Sequence, residues 1–143
     1  LGGGSAAQGA EIFKRNCANC HLVGNEGRDF GPNLSDVGKR LTRLKLVESV
    51  VHPNSEVEEK YRTTMIQTLE GQVISGLQVA ENDLEVEIYD GKETQKILKE
   101  DIDQMAVKAQ SSMPDDLAVA MSPSEFIHLI QYLSEQQTAP EKK

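Results

Sequence analysis

The chain has no tryptophan, three phenylalanines, three tyrosines and two cysteines in 143 residues. Two cysteines cannot build the disulfide framework that holds many small secreted folds together. Large aromatic rings bury about 150–250 Å² each, so a core with so few of them relies on Leu, Ile and Val. It also leaves room for a bound prosthetic group to supply apolar bulk. No apolar run approaches the roughly 20 residues that span a bilayer, so no transmembrane segment is predicted. Positive charge is scarce as well: 15 Lys and Arg stand against 23 Asp and Glu, a net charge of −8. That balance argues against nucleic acid and anionic membrane surfaces as partners and favours a protein with a basic docking patch. Residues 1–10, LGGGSAAQGA, lack the basic start and apolar stretch of a signal peptide. Residues 1–8 therefore read as a linker or the remnant of a longer chain.

The length fits one domain with a sizeable insertion, and the sequence shows no internal repeat. Residues 6–20 are expected to be helical, and the glycines and proline of HLVGNEGRDFGPNL make residues 21–34 an irregular loop. Ser35 is expected to cap a short turn. Thr42 caps a helix whose apolar stripe is Leu44, Val47 and Val51, widened by Leu46 and Val50, and His52-Pro53 ends it. From residue 61 to about 100 the period changes. YRTTMIQTLEG, QVISGLQVA, LEVEIYDG and TQKIL read as four strands of an antiparallel meander or small barrel. Leu84, Val86 and Ile88 face inward there, Glu85, Glu87 and Tyr89 face outward, and Asp90-Gly91 forms a two-residue hairpin. Beyond 101 the chain is expected to turn helical or irregular. SPSE at 122–125 is a strong helix start: Ser122 as N-cap, Pro123 at the first position and Glu125 completing a capping box. Phe126, Ile127, Leu129, Ile130 and Leu133 form the apolar side of that helix, and residues 135–143 are expected to fray. The fold class is α+β.

The chemistry concentrates in RNCANCHLVG, where Cys17, Cys20 and His21 form Cys-x-x-Cys-His. A disulfide across this spacing closes too short a loop to stabilise much. Dithiol exchange in a thioredoxin-like unit wants a strand leading into the motif, and here a helix leads in. Zinc needs four ligands, and beyond these three only His52, His128 and carboxylates remain, none at finger spacing. Covalent haem attachment accounts for all three residues together. Each thiol adds to a vinyl group, and the adjacent histidine becomes the iron's nitrogen ligand. One covalent haem c is the expected cofactor.

A sixth iron ligand would come from Met65, Met105, Met113, Met121, His52 or His128. Met65 falls in a strand and is expected in the core, Met105 follows an acidic stretch, and Met121 precedes a helix cap. His128 is expected to be solvated, and His52 is a loop histidine. Met113 lies in the irregular SSMPD with Pro114 stiffening the backbone behind it. Met/His ligation is the pattern of electron-transfer haem, so Met113 is the expected ligand.

Taken in order, GAEIFKRNCANCH, GPNL, SMP and FIHLIQYL resemble a class I cytochrome c. The resemblance implies a helical core in which Gly9 and Phe13 on the first helix cross Tyr132 on the last. It implies that the Pro32 carbonyl accepts from the axial histidine, fixing ring orientation and basicity, and that Arg40 pairs with a haem propionate. The strand-rich stretch departs from ordinary class I proteins. VESVVHPNSEVEEKY, LEGQVISGLQV, KEDID and SSMPDDL are instead similar to the haem-binding domain first recognised in planctomycetes and verrucomicrobia. That likeness covers nearly the whole chain. It implies a cytochrome domain over residues 9–134 with inserted strands at about 61–100, often found behind quinoprotein-type dehydrogenase domains.

The resulting expectation is a single-electron carrier, not an enzyme. It would work between a dehydrogenase, fused or separate, and a downstream acceptor, in the periplasm or another extracytoplasmic compartment. A haem-based gas or redox sensor, or a protein-binding module built on the strands, are the alternatives.

Overall fold

Ser5 sets where the first helix begins: its hydroxyl accepts the Gln8 N–H (3.3 Å), and α1 runs Ala6–Asn16. In the computed structural model, which describes residues 3–55 and 57–139, α1 belongs to a helical unit made of residues 1–55 and 114–143. Residues 56–113 form a second unit. The helical unit continues with a two-stranded ribbon, β1 (Leu22–Val23) and β2 (Glu26–Gly27), then α2 (Val37–Arg40) and α3 (Arg43–Val51). It closes with α4 (Leu117–Ala120) and α5 (Pro123–Ser134). Thr42 caps α3 by accepting the Lys45 N–H (3.2 Å), and His52 ends it. At α5 the reciprocal box forms in full: Glu125 N–H to Ser122 Oγ (3.1 Å) and Ser122 N–H to Glu125 Oε1 (3.0 Å).

Helices α1 and α5 cross at close range because Gly9 carries no side chain. A Cβ there would run into the His128 carbonyl and lie 2.6 Å from Tyr132 Cβ. One turn further on, the Phe13 and Tyr132 rings pack with centroids 5.6 Å apart, tilted by 45°. Ile12, Leu46, Val50, Leu129, Ile130 and Leu133 are buried in the same unit. Each contributes about 1.5–3 kcal/mol by leaving water. An ion pair from Arg15 to Glu125 (2.8 Å) also joins α1 to α5.

Several local expectations need correction in this unit. The expected linker over 1–8 loses its last part, because Ser5 is a cap and Ala6–Gln8 are helix. Helix α1 stops at Asn16 rather than residue 20, since the Cys20 and His21 N–H groups both turn back to the Cys17 carbonyl (3.1 and 3.0 Å). Ser35 is not a cap. Asp36 precedes α2, and the Ser35 hydroxyl accepts the Gly24 N–H instead (2.8 Å). On α3 the buried side is centred on Leu46 and Val50, and Leu44 is 60 % exposed. Leu44 lies about 200° round the helix from Leu46 at 3.6 residues per turn. Ile127 is likewise exposed on α5. The expected frayed tail is held at its start: Gly38 N–H donates to the Gln136 carbonyl (2.8 Å) and Thr138 N–H to the Ser35 carbonyl (3.1 Å). Residues 140–143 of that tail lie outside the described residues.

The second unit is an antiparallel sheet of β3 (Arg62–Thr68), β4 (Val73–Glu81), β5 (Glu85–Tyr89), β6 (Thr94–Leu98) and β7 (Ile102–Ser111), in the order β6-β5-β4-β3-β7. Among the described residues β6 and β7 are its edges, so the meander forms and the strands do not close into a barrel. Alternation buries Ile66, Ile74, Val86, Ile88 and Ile97 as one core, with Ile102 packed against it. The strands, expected at about 61–100, extend to residue 111, because β3 lends its second edge to β7. Met65 is exposed on β3, between the inward-facing Thr64 and Ile66. Tyr89, expected on the wet face, is buried, and Leu84, outside β5, is 74 % exposed. The turn after Tyr89 has four residues, since Tyr89 pairs with Thr94 and Asp90 Oδ1 accepts from both Lys92 and Glu93 N–H groups.

Candidate cofactor attachment site

Cys17 occupies the C-cap of α1, its N–H donating to the Phe13 carbonyl (2.8 Å). The chain then tightens into a turn through Cys20. The glycine-rich loop folds back over that turn: Arg28 N–H donates to the Ala18 carbonyl (3.0 Å), and Phe30 and Gly31 N–H groups both reach the Cys20 carbonyl. Leu34 N–H donates to the Leu22 carbonyl (2.7 Å) and closes the loop. This wrapping needs Gly27 at φ +105°, where a Cβ would strike the His21 carbonyl. At Gly31 a Cβ would sit 2.9 Å from His21 Cε1 and 3.0 Å from Nδ1. The imidazole is therefore walled by backbone on that side. The loop glycines were legible in the sequence only as irregularity. Their role as the wall of the His21 pocket depends on the fold.

The Pro32 carbonyl lies 2.7 Å from His21 Nδ1. A carbonyl can only accept, so Nδ1 carries the proton and donates, and Nε2 keeps its lone pair. Burial holds the His21 pKa below its ordinary value, while the Pro32 hydrogen bond acts the other way. The ring is thus a neutral imidazole with one basic nitrogen free, the state a metal ligand requires.

Both cysteines are free thiols. Burial, with the Cys20 charge a smaller cause, pushes the Cys17 pKa up to about 12. Burial also raises Cys20, against a lowering pull from Arg28. Dithiol exchange depends on a depressed thiol pKa, so these shifts run opposite to redox-thiol chemistry. Among the described residues no group of three or more His, Cys, Asp or Glu is placed to hold a metal ion. Two unpaired thiols three residues apart, followed by an oriented neutral imidazole, fit a haem attached through sulfur and ligated through Nε2.

Arg40 is the last residue of α2. Its Nε donates to Asp36 Oδ1 (2.7 Å) and its Nη2 to the Asn33 carbonyl (2.9 Å). Cys17, Cys20, His21, Pro32 and Arg40 all belong to the helical unit, and Met113 is the last residue of the strand unit. Met113 is half-buried and its N–H donates to Ser111 Oγ (3.0 Å), while Ser112 Oγ and Thr63 Oγ1 are 3.1 Å apart. Two side-chain contacts therefore hold the backbone that carries Met113. Of the other methionines, Met105 is exposed on β7 and Met121 is buried. His52 is exposed. His128, expected in solvent, is half-buried with Nδ1 accepting the Ser5 N–H (2.8 Å).

The family model described as cytochrome c matches residues 6–80. That span runs from α1 through the attachment turn and α3 into β4. No curated protein matches the chain.

Proposed function

The chain belongs to the cytochrome c family, and from that premise we propose that it passes single electrons from a dehydrogenase to a downstream acceptor. It binds covalent haem c with its iron and serves electron transfer rather than turnover of a substrate. The bound haem supplies a one-electron ferrous/ferric couple. In our reading the core is of class I type and belongs to the planctomycete and verrucomicrobial kind, with the strands as an insert.

Cys17 and Cys20 would tether the porphyrin by thioether bonds, and His21 would ligate iron through Nε2. The Pro32 carbonyl keeps Nδ1 protonated, which fixes the tautomer and raises the basicity of the ligating nitrogen. We assign the sixth position to Met113. A thioether ligand favours the reduced iron and a positive potential. His21 and Met113, if both held the iron in either oxidation state, would leave little rearrangement to accompany electron transfer. Arg40 has its Nη1 left for a propionate, with Asp36 and Asn33 holding the guanidinium in place. The donor is a dehydrogenase of the quinoprotein type, fused or separate, and the acceptor is another redox protein. Cytochrome c domains usually work outside the cytoplasm, and we place this one in the periplasm. No helix among the described residues is long and apolar enough to cross a membrane.

One observation carries the proposal: His21 donates through Nδ1 to the Pro32 carbonyl, which leaves Nε2 unprotonated in a motif whose two cysteines are free thiols. Denaturing mass spectrometry of protein matured with the haem-attachment machinery tests it. The expected mass is the chain plus one haem, lost in C17A/C20A. A bare chain mass in the parent protein would end the reading. Carbon monoxide added to the reduced protein tests the sensor alternative, with no prompt spectral shift expected.

A further inference from the structure

The charge of the chain is unevenly divided. Residues 56–113 hold thirteen Asp and Glu against six Lys and Arg, while the rest of the chain holds ten against nine. The strand unit therefore carries −7 of the net −8. Part of its acidity is paired internally, Glu85 with Lys96 and Glu81 with Lys99. Glu70, Glu100 and Asp101 are exposed, and no ion pair among the described residues engages them. The Leu69 N–H donates to the Asp101 carbonyl (2.8 Å). This bond joins the turn after β3 to the turn before β7, so the three carboxylates collect at one end of the sheet beside Leu69, itself 66 % exposed.

Strand β7 leads away from that end as an edge, paired only with β3 among the described residues. The register sets Met105 opposite Ile66 and Val107 opposite Thr64, so all four side chains share one face. Ile66 and Thr64 are 0 % and 3 % exposed, yet Met105 and Val107 are 41 % and 56 % exposed. The apolar face of the sheet continues beyond its covered part to an open edge. Met105 lies about 10 Å along β7 from Ile102 at ~3.3 Å per residue, close enough for one partner surface to span both features. Natural edges are commonly blunted by charge, proline or bulges. The central stretch of β7 has no proline, and its bulges fall outside the Gln104–Val107 run.

Resting on the electron-carrier reading above, we propose that this open edge, Met105 and Val107 with Leu69 and the Glu70, Glu100 and Asp101 rim, docks a redox partner. The partner surface is lysine-rich around an apolar centre. A second copy of this chain is the poorer occupant, because it would bring −7 against −7 at short range. Docking thus belongs to the strand unit, and the nearly neutral helical unit adds little long-range attraction.

The test uses the full haem-loaded chain and a fluorescein-labelled peptide of four Lys-Leu repeats, with binding read by anisotropy. Binding is expected, and it should weaken as salt shortens the Debye length from about 30 Å at 0.01 M to about 8 Å at 0.15 M. Neutralising the rim as E70Q/E100Q/D101N should weaken low-salt binding by about tenfold. M105S/V107S should weaken it at both salt concentrations. E11Q/D29N/E135Q, on the helical unit, should leave it within about twofold. All these positions are exposed, and an unchanged far-UV spectrum confirms folding. Equal loss from the helical-unit set, equal binding of a Glu-Leu peptide, or no binding at all would overturn the proposal. So would a dimer in sedimentation that M105S/V107S dissolves. Dithionite reduction and ferricyanide reoxidation of the same samples read electron carriage without docking. A protein that cycles but ignores the peptide loses this proposal alone; one that binds it but carries no haem loses the functional reading and the partner's redox role, and keeps only the docking edge.

Discussion

Replacing Gly9 with alanine sets two effects of opposite sign against each other. Alanine in a helix interior is better than glycine by about 1 kcal/mol, so a loosely packed α1 would gain stability. The structure predicts the reverse. The new Cβ would meet the His128 carbonyl and stand 2.6 Å from Tyr132 Cβ and 2.7 Å from the His128 carbonyl carbon. These are backbone atoms and the root of a side chain, so none can swing aside. Ordinary contact begins near 3.4 Å, and α1 and α5 must separate by roughly 1 Å, which forfeits about a quarter to a half of each dispersion contact across the crossing. The Phe13–Tyr132 pair loosens with them. Overpacking of this kind costs about 1–3 kcal/mol, and the lost contacts place this case at the upper end. After the propensity gain the net destabilisation is about 2 kcal/mol, or ~8 °C in Tm for a chain of this size. Thermal unfolding of the haem-loaded protein, followed by far-UV circular dichroism and the haem absorption band, measures it. A G9A protein as stable as the parent, or more so, would refute the close crossing.

Three further outcomes are expected. Met113→Ala should lower the reduction potential and let carbon monoxide bind the reduced protein promptly. An unchanged potential would take the sixth position away from Met113. Ile66→Ala empties a fully buried position of the strand core and should cost about 2–5 kcal/mol in denaturant unfolding; a loss below about 1 kcal/mol would mean that this core is not packed. Glu125 is held below its ordinary value of 4.5, first by the Ser122 backbone hydrogen bond and then by Arg15. A depressed folded-state value means its contribution is present above 4.5 and is lost as pH falls from there through the lower folded value. E125Q should therefore flatten the acid limb of the stability profile, and an unaltered limb would count against the charge-assisted cap.

What the sequence determined by itself was local. The Ser122–Glu125 box and the Thr42 cap are legible because each is a bond between residues three apart. Cys-x-x-Cys-His is legible because its geometry is set within one turn of chain. Strands β3 to β6 announce themselves through alternating Ile and Val. β7 does not: IDQMAVKAQS has polar residues on both faces and is a strand only because β3 offers it an unpaired edge. The tail at Gln136 and Thr138 is polar and looks unattached until Gly38 and Ser35 meet it. His128 likewise looks solvated until Ser5, 123 positions away, donates to it.

The resemblance pointed to Pro32 as the partner of His21, but the physical cause that leaves one ring nitrogen to bind a metal is tertiary. That choice belongs to a carbonyl eleven residues away, brought there by glycines that let the loop pass close to the ring. Side-chain chemistry is written in the composition, but tautomer, burial and edge exposure are properties of neighbours that chain closure brings together. Closing those loops is opposed by entropy and offset by packing spread over the whole chain, so no short window of sequence contains the answer.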